Sequence, residues 1–234
     1  MKIVVDAGHG YQTKGKQTVD GMKEYEFNRA VANYLKAELK KLKGVKVFFS
    51  HSDDKDVPLK ERTTIANELK VDLFISIHAN AYGYGRKWNS VSGIETYIYK
   101  SRPKEAVDLS NVIQRELIVQ TGRKNRGVKT ADFYVLRKTK MTAVLCECGF
   151  MTNKEEAQLL KTEAYRKKCA KAIAKAIQTY YQIPFKTEAI PSTSPSLYKV
   201  QLGAFQQKEN AEKLAEQLQK LGYDPIIVKQ QDSI

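Results

Sequence analysis

Residues Asp72 to Asn80 read DLFISIHAN, and this stretch decides how the chain folds. Leu73, Phe74, Ile75 and Ile77 make an apolar run too short for a helix and too continuous for a strand with one wet face, so it reads as a strand buried in a sheet. The run ends on His78, one of three histidines in 234 residues. Taken alone, His78 reads as a core imidazole with one hydrogen bond before it reads as a ligand.

Outward from this strand, KIVV, VKVFFS, GIETYIY, DFYVLRK and TAVLCECGF are further β-branched or aromatic runs that read as strands. Between them lie helical patterns. Phe27, Val31, Tyr34, Leu35, Leu39 and Leu42 recur at spacings of three and four, with Gly44 as a stop, and similar patterns cover Pro58–Leu69, Glu105–Gln120 and Glu163–Tyr181. Alternation of this kind predicts an α/β fold, a three-layer α/β/α sandwich around a mostly parallel mixed sheet. In such sheets ligands bind beyond the carboxyl ends of the strands, where His9, His78 and Glu147 all fall.

The texture changes after Tyr181. IPFKTEAIPSTSPS, residues 183–196, holds three of the six prolines and reads as a linker between a domain at 1–182 and a tail at 197–234. The tail predicts a small βαβ unit, its helix marked by Ala211, Leu214, Ala215, Leu218 and Leu221 and closed by Gly222. So short a unit cannot bury a core unaided.

Composition excludes several classes. No uncharged apolar run approaches the roughly 18 residues of a membrane span. MKIVVDAGHG meets Asp6 after its apolar residues, too soon for a signal-peptide core, so the expectation is synthesis and retention in the cytoplasm until another route releases the chain. Cys146, Cys148 and Cys169 read as reduced, buried thiols, since no repeated CxxC spacing suggests a zinc knuckle. Of the net charge of +14 none lies in residues 197–234, which hold five lysines and five acids. The basic excess belongs to the domain and draws it toward a polyanion. Nucleic acid, anionic lipid and an anionic wall polymer all answer to such a charge, which alone does not say which; no motif that reads DNA or RNA is present, so nucleic acid is not expected.

A catalytic zinc site needs His, His and carboxylate ligands with one position open, plus a separate carboxylate to move protons. DAGHG offers His9, GMKEYEFN offers Glu24, SIHAN offers His78, and LCECGF sets Glu147 among apolar residues, where an ionised carboxylate is costly unless compensated. Each has a plainer reading: a turn histidine, a helix-start acid, a core histidine, a structural ion pair. The joint pattern carries the weight.

VVDAGHG, GMKEYEFN, PLKERTTIANELKVDLFISIHANA, GIETYIY and GVKTADFYVLRKTKMTAVLCECGFMTN, in this order, resemble the zinc-dependent N-acetylmuramoyl-L-alanine amidases of bacterial autolysins and phage endolysins. The resemblance implies one Zn²⁺ held by His9, Glu24 and His78, with Glu147 as the catalytic glutamate. It also implies hydrolysis of the amide between N-acetylmuramic acid and the L-alanine of the stem peptide. Where the family often has Thr-Arg this chain reads SHSDD, so His51 inherits no role and reads as a surface or loop residue; a common proline is Met141 here. Arg62 reads as half of a buried structural ion pair. Asn80, Tyr82, Tyr84, Arg86 and Trp88, in the loop after His78, are candidate substrate contacts at the site's rim.

The tail, with YKVQLGAF, NAEKLAEQL and GYDPIIVK, resembles one half of a sporulation-related (SPOR) repeat that binds peptidoglycan. Either two halves pair between chains as a homodimer or the tail is only marginally ordered. The expected partner is thus peptidoglycan, of a Gram-positive wall given the basic charge, with neither membrane nor nucleic acid involved. The expected setting is lysis, by an endolysin released through a membrane hole or by a mother-cell autolysin. A zinc peptidase and a basic binding protein with a degenerate site are the rivals.

Overall fold

A computed structural model of the chain describes residues 1–13, 15–83, 85–186 and 200–228. It divides into two compact units, Met1–Thr187 and Glu188–Ile234. In chain order the first holds β1 (Lys2–Ala7), α1 (Glu24–Leu39), β2 (Lys46–Phe49), α2 (Leu59–Glu68), β3 (Leu73–Asn80), β4 (Ile94–Tyr99), α3 (Lys104–Thr121), β5 (Asn125–Ala131), α4 (Tyr134–Lys138), β6 (Thr142–Phe150), α5 (Lys154–Lys161) and α6 (Glu163–Tyr180).

The strands form one mixed sheet in the order β2-β1-β3-β6-β4-β5. The first four run parallel; β4 turns antiparallel to β6, and β5 follows β4 in parallel. Helices cover both faces. Ile3, Val5, Leu73, Ile75, Ile77, Val144, Cys146 and Cys148 face a core shared with α1, α3 and α6. Val4, Phe74, Ala143 and Leu145 face a smaller core closed by α2 and α4. This is why DLFISIH lacks polar alternation: both of its faces are covered.

The smaller face changes character along its strands. Side chains alternate with a period of two, so Val4 is followed on its face by Asp6, Phe74 by Ser76 and His78, and Leu145 by Glu147. Register then aligns Asp6 with Ser76, His78 with Glu147, and Glu147 with Glu95 of β4. One face is thus apolar at its base and polar at the carboxyl ends of the central strands.

Two elements differ from expectation. DFYVLRK is not a strand; residues 134–138 are the short helix α4, which buries the adjacent Val135 and Leu136 on one side as a helix can and an alternating strand cannot. The strand in that region is β5, NRGVKTA, an edge strand whose polar sequence carries no hydrophobic pattern. Ile183–Lys186, whose composition suggested linker, are tied to the domain by backbone hydrogen bonds from Lys43 to Pro184 and from Lys186 to Lys41.

Glu156, on α5, pins the site's strands together. Its carboxylate accepts the backbone N–H of Phe150 at 2.7 Å, just past the turn of β6 at Gly149, and the N–H of Gly93 at 2.9 Å, just before β4. Glu156→Ala leaves two buried donors unpaired, so it is expected to cost about 2–4 kcal/mol of stability by urea unfolding. A cost within 0.5 kcal/mol of zero would show the clamp to be idle.

In the second unit, α7 (Lys208–Lys220) forms as its apolar spacing predicts, with no side-chain cap and no buried residue. The expected flanking strands are not found among the described residues: 200–205 and 223–228 pair with nothing as strands. The reason is the one that made the unit suspect. Val200, Leu202, Tyr223 and Ile226 are each more than half exposed, so no partner layer covers an apolar sheet face.

Candidate metal and catalytic site

One loop, one helix start and one strand end meet over the polar end of the sheet. His9 follows β1, Glu24 opens α1, and His78 sits near the end of β3; their ligand atoms all lie within 4.8 Å of one another. Glu24 is 2 % exposed and uses both oxygens, Oε1 at 2.9 Å from His78 Nδ1 and Oε2 at 3.1 Å from His9 Nε2. The imidazoles meet edge to face with centroids 5.3 Å apart.

The approach is tight enough to dictate glycine. A Cβ on Gly8 would stand 2.0 Å from His78 Cε1, and one on Gly15 would stand 2.6 Å from the His9 ring. His9 itself has φ 68°, a left-handed conformation that costs a non-glycine residue about 1–3 kcal/mol. Arg62 holds that strained backbone. It is buried, pairs with Asp6 Oδ1 at 2.8 Å, donates to the Ala7 carbonyl at 2.6 Å and reaches the His9 carbonyl with its other amino group. The buried structural ion pair expected of Arg62 therefore exists, and it positions a site residue.

Hydrogen-bond directions reveal what the cluster requires. Ser76 Oγ has one proton and donates it to Asp6 Oδ2 at 2.6 Å, so it accepts from His78 Nε2 at 3.1 Å. A neutral His78 with its proton on Nε2 presents a bare Nδ1 to the Glu24 carboxylate. Two acceptors 2.9 Å apart need a proton or a cation between them. Burial alone would raise the Glu24 pKa, but the His78 and His9 hydrogen bonds outweigh it and hold the carboxyl far below its usual range. A donor set of one buried carboxylate and two half-buried imidazoles fits a catalytic zinc ion.

Glu147 stands beside His78 on the next strand and is 9 % exposed. Its Oε2 is buried with no hydrogen-bond partner among the described residues. Burial, then the charges of Glu24 and Glu95, push its carboxyl well above the ordinary range, with Lys16 opposing. Such a group holds a proton more readily than an ordinary carboxylate, a property suited to proton transfer. Cys146 and Cys148 face the opposite core with Cys169, all three as free thiols, as alternation along β6 required.

The remaining sequence candidates are dispersed. Asn80 is half-buried and donates to Glu95 Oε2 at 3.4 Å. Tyr82, Arg86 and Trp88 are exposed in the following loop, which Thr152 anchors through Tyr82 N–H and Asn89 N–H; Tyr84 lies outside the described residues. His51 is a loop residue, one of the two settings expected, but a half-buried one. Its Nδ1 accepts the Ala7 N–H at 3.1 Å and its ring lies 4.4 Å from Phe49, while burial lowers its pKa to about 4 and keeps it a neutral acceptor. Sequence reasoning gave no role to Ser76, Lys16 or Glu95. Of these only Glu95 left a signal, an acid at an inward position of the strand IETYIY.

The model of the N-acetylmuramoyl-L-alanine amidase family matches residues 3–179, and that of the SPOR domain matches residues 194–233. The chain is 33% identical over 229 residues to the sporulation-specific N-acetylmuramoyl-L-alanine amidase of Bacillus subtilis (strain 168), covering 97% of this chain and 84% of that protein. It is 34% identical over 175 residues to the endolysin of Bacillus phage SPP1, covering 75% of this chain and 64% of the phage protein. The catalytic domain of an N-acetylmuramoyl-L-alanine amidase from Bacillus (Paenibacillus) polymyxa var. colistinus superposes with a TM-score of 0.72 at 33% identity, covering 78% of this chain and 99% of that one.

Proposed function

The chain belongs to the N-acetylmuramoyl-L-alanine amidase family and acts on the cell wall as a peptidoglycan hydrolase, and on that premise we propose how its residues perform the hydrolysis. His9, Glu24 and His78 hold one zinc ion. When bound, zinc supplies Lewis acidity, polarising the scissile carbonyl and lowering the pKa of water toward neutrality. Glu147 takes a proton from the attacking water and returns it to the nitrogen of L-alanine as the amide bond breaks, freeing the lactyl carboxylate and a new amino terminus. The observation that carries this reading is the pair of facing acceptors at His78 Nδ1 and Glu24 Oε1, with the unpartnered Glu147 one strand away.

Around this centre, Asn80, Tyr82, Arg86 and Trp88 contact glycan or stem peptide from the rim. The catalytic domain takes in residues 1–186, since 183–186 are bonded to it, which leaves 187–196 as the linker and 197–234 as a wall-binding half-module. No helix among the described residues is long and apolar enough to cross a membrane. The basic charge suits a Gram-positive wall with anionic polymers, and the exposed apolar residues of the second unit suit pairing of two half-modules as a homodimer. The sequence likeness to a sporulation amidase and to an endolysin supports release by mother-cell lysis or through a membrane hole.

The test is digestion of purified cell walls. New N-terminal alanine should appear with no new glycan reducing ends, cease on chelation and return with added zinc. Release of free D-amino acids instead would favour a zinc peptidase.

A further inference from the structure

Next to Glu147 the sheet carries a second charged group that the hydrolysis above does not use. Glu95 is paired in register with Glu147, so both project from the same face of adjacent strands. It is 2 % exposed and fully satisfied: Oε1 receives Lys129 Nζ at 2.7 Å and Arg126 Nε, while Oε2 receives the Tyr97 hydroxyl and Asn80. Burial would raise the Glu95 pKa, but Lys129, Tyr97 and Arg126 together hold it below the usual range, so the group is an anion flanked by two cations.

The cations are over-provided for a structural bridge. Arg126 spends only its Nε on Glu95, and its two amino groups have no hydrogen-bond partner among the described residues. Lys129 likewise makes one bond. Both side chains keep 27% and 37% of their surface exposed, and the Arg126 guanidinium lies 5.0 Å from the centre of the Phe150 ring. A bulge in β5 between Asn125 and Val128, opposite Ile94 and Thr96 of β4 and with Gly127 at φ 81°, brings Arg126 and Lys129 to the same carboxylate although they are three residues apart. The result is a guanidinium fork with its free end fixed in direction and one positive charge in excess, built beside the catalytic row.

We propose that Arg126 and Lys129, oriented by Glu95, bind a carboxylate of the stem peptide on the residue that follows L-alanine. This deepens the amidase reading and rests on it. The spacing agrees. Arg126 sits on the second strand from Glu147, at about 5 Å per strand, and its side chain leans back one strand to Glu95. From the scissile carbonyl, a carboxyl group on the Cα of the second stem residue is about 7 Å away when the chain is extended. A planar fork with free amino groups suits two carboxylate oxygens, which a carboxamide matches poorly because its NH₂ meets another donor.

The test uses the full-length zinc-loaded protein and two muropeptides that differ only at the α-carboxyl of that residue, free in one and amidated in the other. Wild type is expected to favour the carboxylate by roughly tenfold in kcat/KM, a preference that needs no variant. Arg126→Gln should lower kcat/KM on the carboxylate about 10- to 100-fold, mainly through KM, and change the carboxamide by under about threefold. Arg126→Lys should restore part of the loss, and Lys129→Gln should repeat it more weakly, which guards against a misfolded Arg126→Gln. Equal efficiency on both substrates, or equal losses on both in the variants, would overturn the subsite. Wall digestion run alongside separates the two readings: digestion without discrimination sinks the subsite alone, and absence of digestion sinks the amidase reading.

Discussion

Glu147→Gln is expected to lower turnover on peptidoglycan by roughly 10³-fold or more while zinc stoichiometry and fold are retained. Glutamine matches the shape and cannot carry the proton, so the loss isolates proton transfer from packing. Glu147 is not a metal ligand in this reading; a variant that also lost its zinc would contradict it. A second signature comes from stability. In metal-stripped protein, burial and then the Glu24 and Glu95 charges raise the folded-state pKa of Glu147. A group with a raised folded pKa contributes stability that is fully present below its unfolded pKa, about 4.3, and is lost as pH rises from there toward the folded value. Glutamine does not titrate. The variant should therefore match metal-stripped wild type near pH 4 and melt a few degrees higher at pH 7, at roughly 2–4 °C per kcal/mol for a chain of this size. Equal melting temperatures at both pH values would mean that Glu147 is compensated by something other than metal.

What could be read from residues alone follows a physical line. DLFISIH announced a strand because burial on both faces erases alternation, and α1 announced itself because one face only is buried. The edge strand β5 announced nothing: Asn125, Arg126, Lys129 and Thr130 are shaped by solvent and by Glu95 rather than by a core. DFYVLRK misled because four apolar residues in a short run fit strand and helix alike, and the packing of Val135 and Leu136 against α2 and the sheet decided between them. His9, Glu24 and His78 were accessible through motifs, each lodged at the end of a recognisable element. Ser76 and Glu95 were not. Their roles depend on which strands lie side by side, and the antiparallel placement of β4 against β6 is a tertiary fact that no local pattern encodes.

His78→Ala is expected to abolish stoichiometric zinc binding, read by metal analysis after gel filtration, and with it all wall digestion. Removing the imidazole leaves Glu24 with one imidazole partner, His9, where it now has two, beside the N–H groups of Lys16 and Ala79 and the Asn28 amide. Binding zinc would then require two ligands to do the work of three, against the same cost of stripping water from the ion. Ser76→Ala is the finer instrument. It touches no atom proposed to hold zinc, yet it removes the acceptor that fixes the His78 proton on Nε2 and so leaves Nδ1 bare. Outer partners of this type usually set metal affinity within a factor of 10–100, so Ser76→Ala should weaken zinc by about that much in chelator competition without lowering stoichiometry at saturation. The two results distinguish the alternatives for the close approach of His78 and Glu24. If a cation joins them, both substitutions loosen zinc, to very different degrees. If a shared proton joins them, His78 is charged and structural, and neither change alters zinc; undiminished zinc in His78→Ala would then remove this histidine from the metal site.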